Sequence, residues 1–358
     1  MADYPSSLPG RKRTVLPPTL QTHLSNLAGS LCHGQADMAD VAGVVEGFSG
    51  LPVRDFRTTA GDIMMHGALY ARDSYDKWTT ARAHVQLAGM IGRLERTHGL
   101  EFVFLFHGNG YYRQAALELI DGPLEAPFLL AAVIYRLNDW VPEVRRAAFE
   151  CALRVFAVTP AQVVVPAAIG MLEMRIHWQR GTREAVIVDE VLSRGDVQSG
   201  MIGYLLQTPS GPVARTLCHL LRDARFDHAL PSLARHAQHP AVRGLALRTL
   251  IQRQARWPVG MTTQWIDKSM AKGRRVQAFA SRQVTIEAPI EPFIRQAAAD
   301  HTAFVRKIAM QAVIDRPAQW AEFADVIETL SGDSSPSIRE GMAYIERNRT
   351  RETGEGAV

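Results

Sequence analysis

An all-α fold built from repeated helix pairs is what the sequence predicts, and three observations predict it. Apolar residues recur at three-and-four spacing, as at Leu117, Ile120, Leu124, Phe128 and Ala131, while alternating β-branched runs bounded by Asn-Gly or Asp-Gly turns are nearly absent. A dipeptide ending in arginine returns along the chain: Tyr112-Arg113, Val144-Arg145, Thr182-Arg183, Ala214-Arg215, Val242-Arg243, Arg274-Arg275, Val305-Arg306 and Ile338-Arg339, with gaps of 32, 38, 32, 28, 32, 31 and 33 residues. Three positions after each arginine stand Ala116, Ala148, Val186, Cys218, Ala246, Ala278, Ala309 and Met342, mostly small, as needed where one helix approaches another closely.

Caps and breakers precede several of these sites: Asn138-Asp139 before Pro142, Pro209 to Pro212, His239-Pro240, Asp300-His301 and Asp333 to Pro336. Each unit therefore reads as helix, tight turn, helix. Asp139, Asp300 and Asp333 each precede a ladder arginine by six residues, close enough to cap the second helix.

Taken along the chain, residues 1–20 are rich in Pro, Ser and Arg without helical period and read as a flexible basic tail. Residues 21–100 read as a helical N-terminal cap or divergent repeats. Within them Asp76 caps a long helix to Arg96 that carries Trp78, Ala81, Val85, Leu87, Ala88, Ile91 and Leu94. Residues 101–349 hold the repeat array, and residues 350–358 read as a second flexible tail.

The segment from Arg136 through Asn138-Asp139, Pro142 and Val144-Arg145 to Ala148 resembles the motif of HEAT repeats, as seen in bacterial HEAT-repeat proteins. The resemblance is strongest at Arg145, Arg243, Arg306 and Arg339, and weakest at Arg183 and Arg275, where the preceding Val or Ile is missing. It implies an α-solenoid of helix pairs with right-handed superhelical twist, whose stacked units bury a continuous core and present a concave surface. It also implies a structural role for the ladder: turn aspartates accepting hydrogen bonds from an arginine of an adjacent unit.

Catalytic and metal-binding signatures are missing from the sequence. Cys32, Cys151 and Cys218 lack CxxC spacing, which fits neither a disulfide framework nor a zinc knuckle and suits a cytoplasmic setting. Gly108-Asn109-Gly110 lacks the third glycine of a dinucleotide fingerprint and reads as a turn between helices, and no GxxxxGK[ST], HExxH or GxSxG motif occurs. His236 and His239, before Pro240, read as helix-terminal residues rather than metal ligands, and Cys218 reads as a buried structural thiol. No cofactor is implied. The longest apolar run, Ala126 to Tyr135, is too short for a bilayer, so no membrane partner is expected.

Charge supplies the functional signal. The formal charge is only +4, yet residues 201–300 carry 14 Lys and Arg against 6 Asp and Glu. Outside the ladder, Arg253, Arg256, Lys268, Lys272 and Arg274 have few local acids and form the candidate basic patch, with Trp257 and Trp265 among them. The leading functional expectation is a non-enzymatic scaffold or adaptor that binds a macromolecule, first of all a protein, through the concave surface. The alternative is nucleic-acid binding through residues 201–300, in a protein resembling the HEAT-like alkylpurine DNA glycosylases, where Asp139 and Trp140 would be the nearest acid and aromatic pair.

Overall fold

The computed structural model describes residues 14–69, 80–175, 178, 180–181, 183–184 and 186–354, with the backbone alone for 80–86, 173, 175 and 350–354. The chain divides into two compact units, Met1–Val197 and Gln198–Val358. Among the described residues it is mostly helical, with eighteen α-helices and one two-stranded antiparallel sheet. No helix among them is long and apolar enough to cross a membrane.

The first unit opens with α1 (Pro18–Cys32), α2 (Met38–Ser49) and α3 (Phe56–His66). Proline suits the first turn, and Leu20, Leu24 and Leu27 give α1 a buried stripe, so helix begins inside the expected 1–20 tail. Asp37 caps α2 by accepting from the backbone N–H groups of Ala39 and Asp40. The expected long helix is α4 (Thr80–Arg96), while its Asp76 cap and Trp78 lie outside the described residues.

Then follow α5 (Leu100–Phe104), α6 (Gly110–Leu119), α7 (Pro127–Arg136), α8 (Pro142–Val155), α9 (Ala161–Arg175) and α10 (Val186–Leu192). Phe48 and Phe56 from the N-terminal helices meet Phe106 and Phe128 at ring distances of 5.1 to 6.1 Å, so one aromatic core joins α2 and α3 to the helices after residue 100. Gly108-Asn109 is the expected turn, with Asn109 capping α6. The residues Leu117, Ile120, Leu124, Phe128 and Ala131 are all buried, but only Leu117 lies on α6 and Phe128 and Ala131 on α7, with Ile120 and Leu124 in the connector. Gly122, at φ 75°, and Pro123 stop α6 and α7 from joining.

In the second unit α11 (Gly195–Gln207) leads to α12 (Val213–Leu220), α13 (Leu230–His236) and α14 (Pro240–Gln252). After the sheet come α15 (Glu291–Ala298), α16 (Ala303–Ile314), α17 (Ala324–Ser331) and α18 (Pro336–Gly354). Consecutive helices pair as α13 with α14, α15 with α16 and α17 with α18. Second helices also pack in a row, α12 on α14, α14 on α16 and α16 on α18. Two glycines permit the close approach: a Cβ on Gly244 would lie 2.8 Å from the Phe304 ring, and one on Gly341 would lie 2.4 Å from Met310 Sδ. Because α18 runs to Gly354, residues 350–354 are helical where a tail was expected.

The main departure from expectation is a long β-ribbon, β1 (Gln254–Asp267) paired with β2 (Lys272–Gln283). Trp257, Val259, Thr262, Thr263, Trp265 and Ile266 are strand-favouring residues, and in β2 only Val276, Ala278, Ala280 and Arg282 are partly buried, at every second position. The turn is neither Asn-Gly nor Asp-Gly. Asp267 Oδ1 builds it by accepting from the backbone N–H groups of Ser269 and Met270 and from Ser269 Oγ. Arg275 and Ala278 are therefore strand residues rather than second-helix residues, and the ribbon separates α14 from α15.

Candidate binding site

The arginine ladder has a recurring local geometry at three places. Arg113 on α6 holds Asp139 with two bonds of 2.9 and 2.8 Å. Arg243 on α14 holds Asp300 at 2.7 and 3.1 Å, and Arg306 on α16 holds Asp333 at 2.5 and 2.9 Å. Each aspartate also accepts a backbone N–H two residues on, at Val141, Thr302 and Ser335, and so caps the start of the following second helix. The third guanidinium nitrogen of each arginine donates to a carbonyl just before its own helix: His107 and Gly108, Ala237 and Gln238, or Asp300. The residue before the arginine is buried at Tyr112, Val144, Val242, Val305 and Ile338. The third residue after it is buried at Ala116, Ala148, Ala246, Ala309 and Met342.

Sequence separation explains the false repeat at Arg275. The Arg113–Asp139 and Arg306–Asp333 pairs span 26 and 27 residues, whereas Arg243–Asp300 spans 57. The excess matches the ribbon, Gln254–Gln283, an insertion whose length equals one repeat. Spacing alone could not separate the two; the available signal was Arg274, a charged residue at the position where Tyr112, Val144, Val242, Val305 and Ile338 are buried.

Other ladder positions differ. Arg145 on α8 reaches Glu184 at 3.4 Å and donates to the Asp139 carbonyl at 2.9 Å, and Arg339 on α18 donates to the Asp333 carbonyl at 2.6 Å. Arg183 is exposed in the turn before α10, and Val186 beside it is 60% exposed rather than packed, because α10 has seven residues and offers no long second helix. Arg215 is exposed on α12.

Burial works against the charge of Asp300, but hydrogen bonds from Arg243 and Thr302 outweigh it and bring its pKa down to about 2. Asp139 is shifted the same way: burial opposes ionisation, and hydrogen bonds from Arg113 with the nearby charge of Arg136 overcome it. Both Asp139 oxygens are occupied, Oδ1 by Arg113 and Val141 and Oδ2 by Arg113 and Arg136. Trp140 beside it is 68% exposed and, with Trp178, Arg57 and Arg180, borders a small cavity of about 310 Å³. A carboxylate so held is a poor proton donor, and its oxygens are engaged by Arg113, Arg136 and Val141.

The basic patch takes a form the sequence did not reveal. Arg253 ends α14 in the left-handed conformation (φ 52°), Arg256 lies on β1, Lys268 in the ribbon turn, and Lys272 and Arg274 on β2. All five are exposed. Arg253 donates to the Ala288 carbonyl, Arg256 lies over the Phe279 ring at 5.0 Å, and Arg274 donates to Gln264. Among the described residues no carboxylate forms an ion pair with any of them. The ribbon's own anchor is Arg282, which holds buried Asp227 through bonds of 2.6 and 2.9 Å and donates to the carbonyls of Leu221 and Asp223.

Where the ribbon leaves the helices, its base and the second-helix row of α14 and α16 enclose an open cleft of about 900 Å³. Arg248, Arg256 and Lys307 line it together with exposed Phe279 and Phe304. Arg316 at its margin is committed to the carbonyls of Ala312 and Ile251. Cys218 also reaches this cleft, half-buried, with Sγ 3.5 Å from the Arg256 carbonyl, so it is not the fully packed thiol expected. His239 caps α14 by accepting from Ala241 N–H, a helix start rather than a helix end. Among the described residues no three potential metal ligands converge.

These features define a mostly helical protein that carries a two-stranded ribbon and, beside it, a cleft lined by cations and aromatic rings. No protein-family model matches the chain, and no curated protein matches it.

Proposed function

We propose that the protein is a non-enzymatic HEAT-like adaptor that binds an anionic macromolecule along the second-helix row of its second unit. In this reading the helix pairs are solenoid units with the right-handed twist of that family, and α14 and α16 belong to the concave side. The supporting observation is the cleft: Arg248, Arg256 and Lys307 line it beside the Phe279 and Phe304 rings and form no ion pair among the described residues, and its one acid, Asp315, accepts from Gln311 through Oδ1. Cations held beside apolar rings in a half-open cleft favour an extended anionic chain, since charge attracts it over distance and the rings supply contact area. An acidic protein segment satisfies this requirement, as does a nucleic acid.

Fluorescence anisotropy with labelled polyglutamate and with a short DNA, each at low salt, tests the proposal. Binding of at least one polymer should weaken by roughly tenfold or more when Arg248, Arg256 and Lys307 are all changed to Gln. Failure of both polymers to bind at low salt, or unchanged affinity in that variant, would reject it.

A further inference from the structure

We propose that the β-ribbon is an arm that enters the major groove of double-stranded DNA, an inference that rests on the polyanion reading above and names the partner. Every residue from Pro258 to Arg275 is exposed, so the outer part of the ribbon leaves its helices and projects by about 30 Å at the usual strand rise. A solitary two-stranded ribbon of that length gains little stability for the chain that carries it. Its side chains face outward.

Cross-strand partners share a face, so the register assigns the two faces. One continues from the cleft as Arg256, Phe279, Met261, Thr263, Arg275 and Trp265. The opposite face carries Lys272 and Arg274 near the tip, and Lys268 occupies the turn. The single acid in the ribbon, Asp267, spends Oδ1 on the turn. Cations thus stand on both faces and at the tip.

That distribution discriminates among anionic partners. A flat acidic protein surface meets one face and leaves the other cations unmatched, whereas a groove between two phosphate walls meets both. The major groove of B-form DNA, about 12 Å wide, admits a two-stranded ribbon, while the deep narrow groove of A-form RNA does not. A single strand has no second wall. With the arm in the groove, Lys272 and Arg274 face one phosphate wall and Arg275 the other, and Lys268 at the tip lies over the groove floor between them.

The test compares anisotropy binding of a DNA duplex of about 20 base pairs with the same DNA single-stranded, an RNA duplex and polyglutamate, from about 50 to 200 mM salt. The duplex DNA should bind tightest. Changing Lys268, Lys272, Arg274 and Arg275 together to Gln should cost at least roughly tenfold in affinity and flatten the salt dependence by about three to four in slope. A control with exposed Arg54, Arg96, Arg146 and Arg235 changed to Gln removes the same charge elsewhere and should stay within about threefold. The arm is overturned if the ribbon variant, with unchanged circular dichroism and melting temperature, binds duplex as tightly as the parent. It is equally overturned if single strand or RNA binds better, or if the control loses as much. Polyglutamate binding without duplex binding overturns the arm and leaves the polyanion cleft standing; no binding to any polymer overturns both.

Discussion

Arg243 and Asp300 form one of the three Arg–Asp pairs that join neighbouring helices. Both side chains are nearly buried, at 6% and 9% exposure, and their bonds tie α14 to the start of α16. Asn at position 300 would leave the guanidinium without its counter-charge, at a cost on the order of 3–5 kcal/mol, read as a lowered melting temperature. The pH dependence has a definite sign. Because the folded pKa of Asp300 lies near 2, below the ordinary carboxylate value, its contribution is complete above about pH 4 and fades as pH falls toward 2. His107 acts in a higher window: burial and the adjacent Arg113 lower its pKa from 6.5 to about 4, and its Nδ1 accepts from Asn109 N–H. Protonation favours the unfolded chain, so the parent protein should lose stability as pH falls from 6.5 toward 4. His107→Asn, which retains an acceptor without the charge, should flatten that limb of a melting-temperature profile.

Between elements, small residues set how closely helices approach, but only some were recognisable from the ladder spacing. Ala148 and Ala309 are fully buried, and Leu at either should overpack its helix contact and cost about 1–3 kcal/mol by denaturant melts. Gly341, two residues after Arg339, faces Met310, a flexible neighbour that can shift to admit a methyl group. Gly181 is different: a Cβ there would lie 2.0 Å from the Leu137 carbonyl oxygen, and its N–H donates to Asn138 Oδ1. Gly181→Ala should therefore destabilise the protein clearly more than Gly341→Ala when the two melts are compared, because backbone cannot retreat as a thioether can.

Across the whole molecule, stability and partner binding should separate. In residues 260–277 of the ribbon only Val276 is partly buried, so replacing that segment with Asn-Gly should leave the melting transition within about 0.5 kcal/mol while weakening polyanion binding. A large fall in melting temperature would show that the ribbon supports the helices. Neutralising Lys268, Lys272 and Arg274 should act in the same direction, mainly on association rate and its salt dependence.

Much of the helical framework was legible in the sequence because helix pairing is local: a Val-Arg start, an aspartate six residues earlier and a small residue three later lie within one turn-and-helix segment, as around Asp139, Arg145 and Ala148. The basic excess of residues 201–300 was equally plain, since charge needs no fold to be counted. Three features depended on tertiary structure. Arg243 reaches Asp300 over the inserted ribbon, a partnership sequence spacing concealed by offering Arg275 instead. The cleft gathers Arg248, Arg256 and Lys307 from α14, β1 and α16, whose order in the chain says nothing of their convergence. The two faces of the ribbon follow from its register, which is fixed by the Asp267 turn and by the bulges after Pro258 and Trp265 rather than by composition. Short-range patterns determine which helices form and where they are capped; the pairing of distant segments determines which side chains share a surface, because that depends on how the ends of an insertion are anchored, here by Arg282 on Asp227.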